Sequence, residues 1–179
     1  MSQYKKHDFR PFLNSVFIET GSYVGDGIQA ALDSGFQKVF SIEIVDRFYQ
    51  HCLKRFEHDP RVELRRGDSV EILPILLKWN VVEPATFWLD AHYSGGDTAW
   101  GSQRIPILKE LEIIGQHEIK THTILIDDMR AVQHGFEGDG WNDITLKQIE
   151  EAIWMINPLY RITYEFGVEP NDILIAKLD

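Results

Sequence analysis

A chain of 179 residues with 44% apolar composition is the size of one compact domain that buries its own core. Its formal net charge of −10 and isoelectric point near 5.1 speak against a nucleic-acid backbone or an anionic membrane as main partner, and basic pairs such as Lys5-Lys6 and Arg65-Arg66 are too small to reverse this. The lone Cys52 excludes an internal disulfide, and with neither a charged-then-apolar leader nor an apolar run of about 18 residues the expected setting is the cytoplasm.

Residues 1–15 are polar and mixed, and read as a short arm or one helical turn. The stretch V-F-I-E-T-G-S-Y-V-G-D-G over 16–27 then runs from a buried strand ending at Glu19 into a glycine turn and a helix over 28–35. K-V-F-S-I-E-I at 38–44 is a second strand and 46–57 a helix. Residues 62–66 form a third strand, followed by the turn Gly67-Asp68-Ser69 and a helix over 70–79. A-T-F-W-L-D at 85–90 is a fourth strand, and a glycine-rich loop over 93–102 follows. Alternating apolar and charged residues at helical spacing mark a helix over 105–116, with Pro106 tolerated in its first turn. Residues 121–127 are a fifth strand, 129–143 a second glycine-rich loop, and 145–156 a helix stopped by Asn157-Pro158. Two final strand-like runs, 160–166 and 172–178, have no room for a helix between them and should pair as an antiparallel hairpin. Strands and helices otherwise alternate, which implies right-handed crossovers and helices on both faces of a mostly parallel, seven-stranded sheet, an α/β Rossmann-like architecture in three layers. Phe17, Phe40 and Phe87 read as core.

In such a sheet, ligands bind beyond the carboxyl ends of the strands, where the strand order reverses. Those ends carry Glu19, Glu43, Asp68-Ser69, Asp90 and Asp127-Asp128: an acid on each of five strands. The first turn offers bare backbone N–H groups at a helix N-terminus, suited to a polar or charged ligand group. Its glycines are spaced G-x-x-x-G-x-G rather than the G-x-G-x-x-G of a dinucleotide site, which argues against a nicotinamide enzyme. Glu19 either meets a cationic amino group or orients the loop. Glu43 has the placement to accept from a ribose diol, or else caps the next helix. Asp68 and Ser69 either meet an adenine or cap the helix that follows. Asp90, Asp127 and Asp128 bring three carboxylates to one rim, which is unfavourable without a positive partner, and magnesium with its oxygen ligands is the expected one. The alternative is that Asp127 or Asp128 caps a turn.

The motif acid-x-Gly-x-x-x-Gly resembles that of class I S-adenosylmethionine-dependent methyltransferases. Within that superfamily, the chain is similar to metal-dependent catechol-type and to sugar and macrolide O-methyltransferases. The resemblance rests on E-T-G-S-Y-V-G at 19–25, S-I-E-I at 41–44, G-D-S at 67–69, L-D-A-H at 89–92 and I-D-D at 126–128. It implies the methyltransferase fold, with Glu19, Gly21, Ser22, Tyr23 and Gly25 shaping the methionine end of an S-adenosylmethionine pocket. It also implies Glu43 on the ribose, Asp68 and Ser69 on the adenine side, and Asp90, Asp127 and Asp128 around the metal. The chain departs from the catechol-type pattern at Asp128, where that family has asparagine, and at Tyr93, where a catalytic lysine would fall. It also has only about fifteen residues ahead of its first strand.

The function implied is O-methylation of a small hydroxylated acceptor, such as a sugar, with Mg2+ depressing the hydroxyl pKa from Asp90, Asp127 and Asp128. His92 is the first candidate base and Tyr93 the second, unless His92 is only a hydrogen-bonding loop residue. The two glycine-rich loops, with Asp97 and Trp100 in one and Asp139, Trp141 and Asp143 in the other, are expected to form the acceptor pocket. Alternatively their tryptophans pack the loops down or meet a second subunit in a homodimer. The rival function is a nucleoside-binding interaction module without catalysis.

Overall fold

The computed structural model describes residues 7–93, 95–134 and 141–179. Seven strands form one sheet: β1 (Val16–Thr20), β2 (Lys38–Glu43), β3 (Val62–Arg66), β4 (Ala85–Leu89), β5 (Thr123–Ile126), β6 (Arg161–Glu165) and β7 (Ile173–Lys177). Their spatial order is β3-β2-β1-β4-β5-β7-β6. β1 to β5 run parallel, while β7 lies antiparallel between β5 and β6. The order reverses between β1 and β4, which opens the crevice that a doubly wound sheet offers to ligands.

Burial explains the strand sequences. β1 and β4 are buried along their whole length and are rich in Val, Ile, Phe, Trp and Leu, whereas the edge strands β3 and β6 keep polar, half-exposed positions. Helices α1 (Asp26–Ser34) and α2 (Asp46–Arg55) belong to the layer around Phe17, Ile28, Phe36 and Trp88. Helices α3 (Ser69–Asn80), α4 (Ile107–Gln116) and α6 (Leu146–Ile156) pack on the opposite face around Leu73, Leu111 and Ile153. Local chemistry sets the helix ends: Asp68 caps α3 by accepting from the Val70 N–H, and Thr145 with Gln148 closes a capping box on α6. Pro106 stands at the N-cap of α4. No helix among the described residues is long and apolar enough to cross a membrane.

One segment is as the sequence reads and another departs from it. Of residues 7–15, Arg10–Phe12 forms the expected single turn, a 3-10 one that buries Phe12, and the buried Phe9 ring packs 4.9 Å from Phe17 and 5.1 Å from Trp88. Burying such a side chain stabilises by roughly 1.5–3 kcal/mol, enough to hold a short segment that polar composition alone would leave loose. The second glycine-rich loop begins late, because Met129–His134 forms a short helix, α5. Its first N–H groups donate to the carbonyls of Asp172 and Asp128, and Met129 and Ala131 are buried. Residues 135–140 of that loop, with Asp139, lie outside the described residues, as do Lys5 and Lys6.

Two buried titratable groups give opposite pH dependences. His122, ahead of β5, accepts the Ala85 N–H at Nδ1, and burial lowers its pKa to about 4. The unfolded chain therefore binds the extra proton first, and stability from this group is lost as pH falls from about 6.5 to about 4. Glu19, 1% exposed beneath the first turn, is pushed by burial to about 8, so its share of stability is lost as pH rises from about 4.5 to about 8. Urea midpoints measured across pH should therefore fall less on acidification in His122→Asn than in wild type. Glu19→Gln should become more stable than wild type by on the order of 1–3 kcal/mol near pH 8. Parallel pH profiles for wild type and either variant would contradict the corresponding assignment.

Candidate active site

At the carboxyl edge of the sheet, each crossing loop is held to its neighbouring strand. Gly21 N–H donates to the Ile42 carbonyl, Gly67 to Glu43, Asp90 to Thr20 and Asp127 to Leu89, all at 2.9–3.2 Å. These bonds draw the strand-end acids onto one rim around a cavity of about 420 Å³. Six carboxylates face that cavity (Glu43, Asp68, Asp90, Asp97, Asp127 and Asp128) together with His92, and among the described residues no Lys or Arg does.

The first turn meets the cavity at Gly21 and Tyr23. Gly21 has φ +86°, and a Cβ there would stand 2.5 Å from the Asp90 carbonyl oxygen, so the turn can approach β4 only with glycine. Tyr23 packs its ring 4.5 Å from Phe48. Glu19, Ser22 and Gly25 stand behind this wall. Ser41 donates to the Glu19 carboxylate, its hydroxyl also pairs with Ser22, and Gly25 caps α1 against Phe56 and Cys52. Glu19 thus underpins the loop and stands off the cavity wall. Nor does the N-terminus of α1 open on the cavity: Arg55 covers it, donating to the Val24 carbonyl and the Asp26 carboxylate.

On the β2 and β3 side, Glu43 receives the Tyr23 N–H at 2.8 Å and the Val45 N–H at 2.7 Å. Burial raises its pKa, and those backbone bonds pull the other way. Asp68 is committed to structure, with one oxygen on the Val70 N–H and the other on the Ser102 N–H at 2.6 Å. That second bond straps the 95–103 loop across the cavity, where a Cβ at Gly101 would run into Asp68. The loop is tied again by Arg47, which bonds the Asp97 carbonyl and pairs with its carboxylate at 2.8 Å. Trp100 lines the cavity and packs 4.7 Å from Tyr93. Tyr93 itself stays off the cavity wall.

The β4 and β5 side holds the unbalanced charge. His92 Nε2 lies 2.6 Å from Asp128 Oδ2, its ring packs edge-on to Trp141 at 5.0 Å, and its side chain is 5% exposed. Asp128, at φ +60°, also pairs with Arg130, whose Nη1 donates to Asp172 Oδ2 at 2.6 Å. Burial pushes Asp128 up, but the His92 bond and the charges of His92 and Arg130 outweigh it, so its carboxyl titrates below the ordinary range. Asp90, 3.5 Å from His92 Nδ1, and Asp127, whose Oδ1 accepts the Asp128 N–H at 2.8 Å, form no ion pair with a Lys or Arg among the described residues. Burial, and then the other carboxylates, hold both well above the ordinary range.

The expected metal trio is accordingly split. Asp90, His92 and Asp128 bring ligand atoms within 4.8 Å of one another, as do Asp127, Asp128 and Asp172, but among the described residues Asp90, Asp127 and Asp128 form no such group. The positive partner demanded by the acids around Asp128 is, in part, Arg130. Neither Arg130 nor Asp172 was singled out from the sequence. Glu110 of α4 was also missed: it is fully buried near Ser69 and Thr20, and burial raises its pKa to about 7. Asp143, expected in the acceptor pocket, is exposed away from the cavity wall, and Trp141 is buried against His92.

No protein-family model and no curated protein matches this sequence. Solved structures do match. An O-methyltransferase from Bacillus cereus in complex with SAH superposes with a TM-score of 0.69 at 16% identity, covering 96% of this chain and 77% of the other. TomG from Streptomyces achromogenes, an O-methyltransferase of tomaymycin synthesis in complex with SAM, gives 0.59 at 14% identity, covering 96% and 76%. Spermidine synthase from Thermotoga maritima gives 0.57 at 16% identity, covering 96% and 56%. From strand order to closing hairpin, this chain has the fold of the class I S-adenosylmethionine-dependent O-methyltransferases.

Proposed function

We propose that this chain is an S-adenosylmethionine-dependent methyltransferase that methylates a hydroxyl of a small acceptor, with a divalent cation assisting. The observation that carries the reading is a continuous cavity at the strand-order reversal, joining Glu43 and Ser69 at one end to Asp90, His92 and Asp127 at the other. Its wall of six carboxylates without a Lys or Arg among the described residues favours a sulfonium compound. The same wall disfavours the pyrophosphate of a nicotinamide cofactor, which needs donors and positive charge. Its volume is in the range of roughly 300–1,000 Å³ typical of small-molecule sites, which keeps the acceptor small.

S-adenosylmethionine supplies a methyl carbon already electrophilic on its sulfonium, so the protein's work is alignment and help with the acceptor proton. Glu43, fixed by two backbone N–H groups, is proposed to accept from the ribose hydroxyls, and Gly21 to let the main chain lie against the methionine end. Ser69 takes the adenine side, while Asp68 caps α3 and straps the loop over the cavity. At the other end, Asp90 meets the acceptor hydroxyl beside His92, whose own Nε2 is committed to Asp128. A cation held at Asp90 would act as a Lewis acid that lowers the hydroxyl pKa. The buried His92 Nδ1, which lacks a hydrogen-bond partner beside Asp90, is the feature of these residues that fits one. Trp100 and Asp97 close the acceptor side. The setting of this reading is one domain in the cytoplasm, and the buried free thiol of Cys52 accords with a reducing compartment.

Calorimetry with S-adenosylhomocysteine tests the cofactor half. Glu43→Ala should weaken binding by roughly 100-fold, on the order of two charge-assisted hydrogen bonds, and unchanged affinity would sink the ribose assignment. Asp127→Asn should bind the cofactor as wild type does but lose transfer to hydroxylated acceptors. Tight cofactor binding with no S-adenosylhomocysteine formed from any hydroxylated acceptor and divalent ion would favour the non-catalytic module instead.

A further inference from the structure

Three buried side-chain atoms find no hydrogen-bond partner among the described residues, namely both Glu110 oxygens and His92 Nδ1. Buried polar atoms are almost always satisfied, so each requires an explanation. Ser69 and Thr20 are the hydroxyls nearest Glu110, and the pull of burial toward its neutral form supplies one there. His92 Nδ1 has no such relief. It belongs to a ring that lines the cavity and packs edge-on to Trp141, and it is 3.5 Å from Asp90 Oδ1.

We propose that His92 Nδ1 and Asp90 Oδ1 are the protein ligands of a divalent transition-metal ion, and that Asp128 is a positioning residue which holds His92 rather than a ligand. This refines the metal-assisted reading above and rests on it. Three observations converge. A metal-bound imidazole characteristically gives its other N–H to a carboxylate, and Nε2 is 2.6 Å from Asp128 Oδ2. The 3.5 Å between Nδ1 and Oδ1 is close to the separation of about 3.4 Å that two ligands at roughly 2.1 Å subtend on a tetrahedral ion. Asp128 is a poor ligand itself, because its second oxygen is paired with Arg130, a fixed positive charge that would repel the ion. Asp90, by contrast, forms no ion pair with a Lys or Arg among the described residues, and it is partly exposed to the cavity by which an ion would enter.

The donor set decides the kind of ion. Magnesium takes oxygen ligands and holds its waters, whereas one imidazole nitrogen with one carboxylate suits manganese, iron or zinc. The mostly carboxylate sphere expected from the sequence was compatible with magnesium, but the arrangement around His92 shifts the preference away from it. Asp127, outside this pair, remains as a carboxylate on the wall, available to the water or hydroxyl that completes the ion's shell.

Mn2+ is the probe. Free Mn2+ counted by electron paramagnetic resonance should show one site on the wild-type protein, with Mg2+ competing only at large excess. Pulsed measurements on the bound ion should show nitrogen coupling from one imidazole. His92→Gln and Asp90→Asn should lower Mn2+ affinity at least 100-fold, whereas Asp128→Asn should keep the stoichiometry and lower affinity about 10-fold, as loss of a supporting partner does. Absence of nitrogen coupling in wild type overturns the assignment without relying on any variant being folded. So does a site destroyed by Asp128→Asn and spared by His92→Gln, or no Mn2+ binding at all. Calorimetry with S-adenosylhomocysteine alone is read separately, so that cofactor binding without a manganese site refutes this inference and leaves the methyltransferase reading standing.

Discussion

Carboxylates that end five neighbouring strands repel one another, and the structure answers each of them differently. Glu19 is carried down into the core, where burial favours its protonated form and Ser41 binds it. Glu43 and Asp68 are met by backbone N–H groups from the very turns they border. Asp128 is neutralised by contact with Arg130 and His92, and Arg130 is held in turn by the buried Asp172. Like charges at contact distance in a low-dielectric setting cost several kcal/mol unless compensated, so these arrangements are conditions for the rim to exist. Asp127 accepts the Asp128 N–H at 2.8 Å, and Asp90 stands 3.5 Å from His92 Nδ1. Burial and the neighbouring carboxylates still hold both above the ordinary carboxylate range, and both face the cavity.

Site and scaffold are thereby joined. The Asp128 backbone turns at φ +60°, its carbonyl begins α5, and its side chain reaches back to His92 on the loop after β4. Asp172, at the start of β7, accepts from Arg130 and from the Val168 N–H, and its carbonyl receives the Met129 N–H. The antiparallel closing hairpin therefore does more than complete the sheet. It fixes the ion pair that sets the orientation of Asp128, and through it the histidine beside Asp90.

Much of this was legible in the sequence, because period and punctuation carry the fold. All seven strands and most helices follow from runs such as V-F-I-E-T and A-T-F-W-L bounded by glycine, proline and acids, and the absence of a helix between the last two strands dictates their hairpin. Strand-end acids were visible because topology alone brings them to one edge. What stayed hidden is what depends on side-chain partners distant in sequence. Arg130 finds Asp172 across 42 positions, and Asp68 meets Ser102 across 34. Glu110 looks like any charged residue on an amphipathic helix, since its helical spacing does not reveal that its face is covered by Ser69 and Thr20. Nor could the N-terminal aromatics be distinguished from those of a loose arm without knowing that Trp88 lies beneath them.

The loop over the crevice shows why the fold's breadth of use does not blur the reading of this site. Solved structures of the same architecture include a spermidine synthase beside O-methyltransferases, so the sheet alone cannot choose a reaction. The choice falls to segments laid across its edge. Here that segment is anchored at both ends from the β2 and β3 side of the cavity: Asp68, which caps α3, holds Ser102, and Arg47 of α2 holds Asp97. Trp100 lies between these anchors, against the cavity and directly below the Arg104 guanidinium at 4.5 Å. A change in this loop must therefore pass through bonds that also tie α2 and α3, because the same two anchors join the cavity wall to both helices.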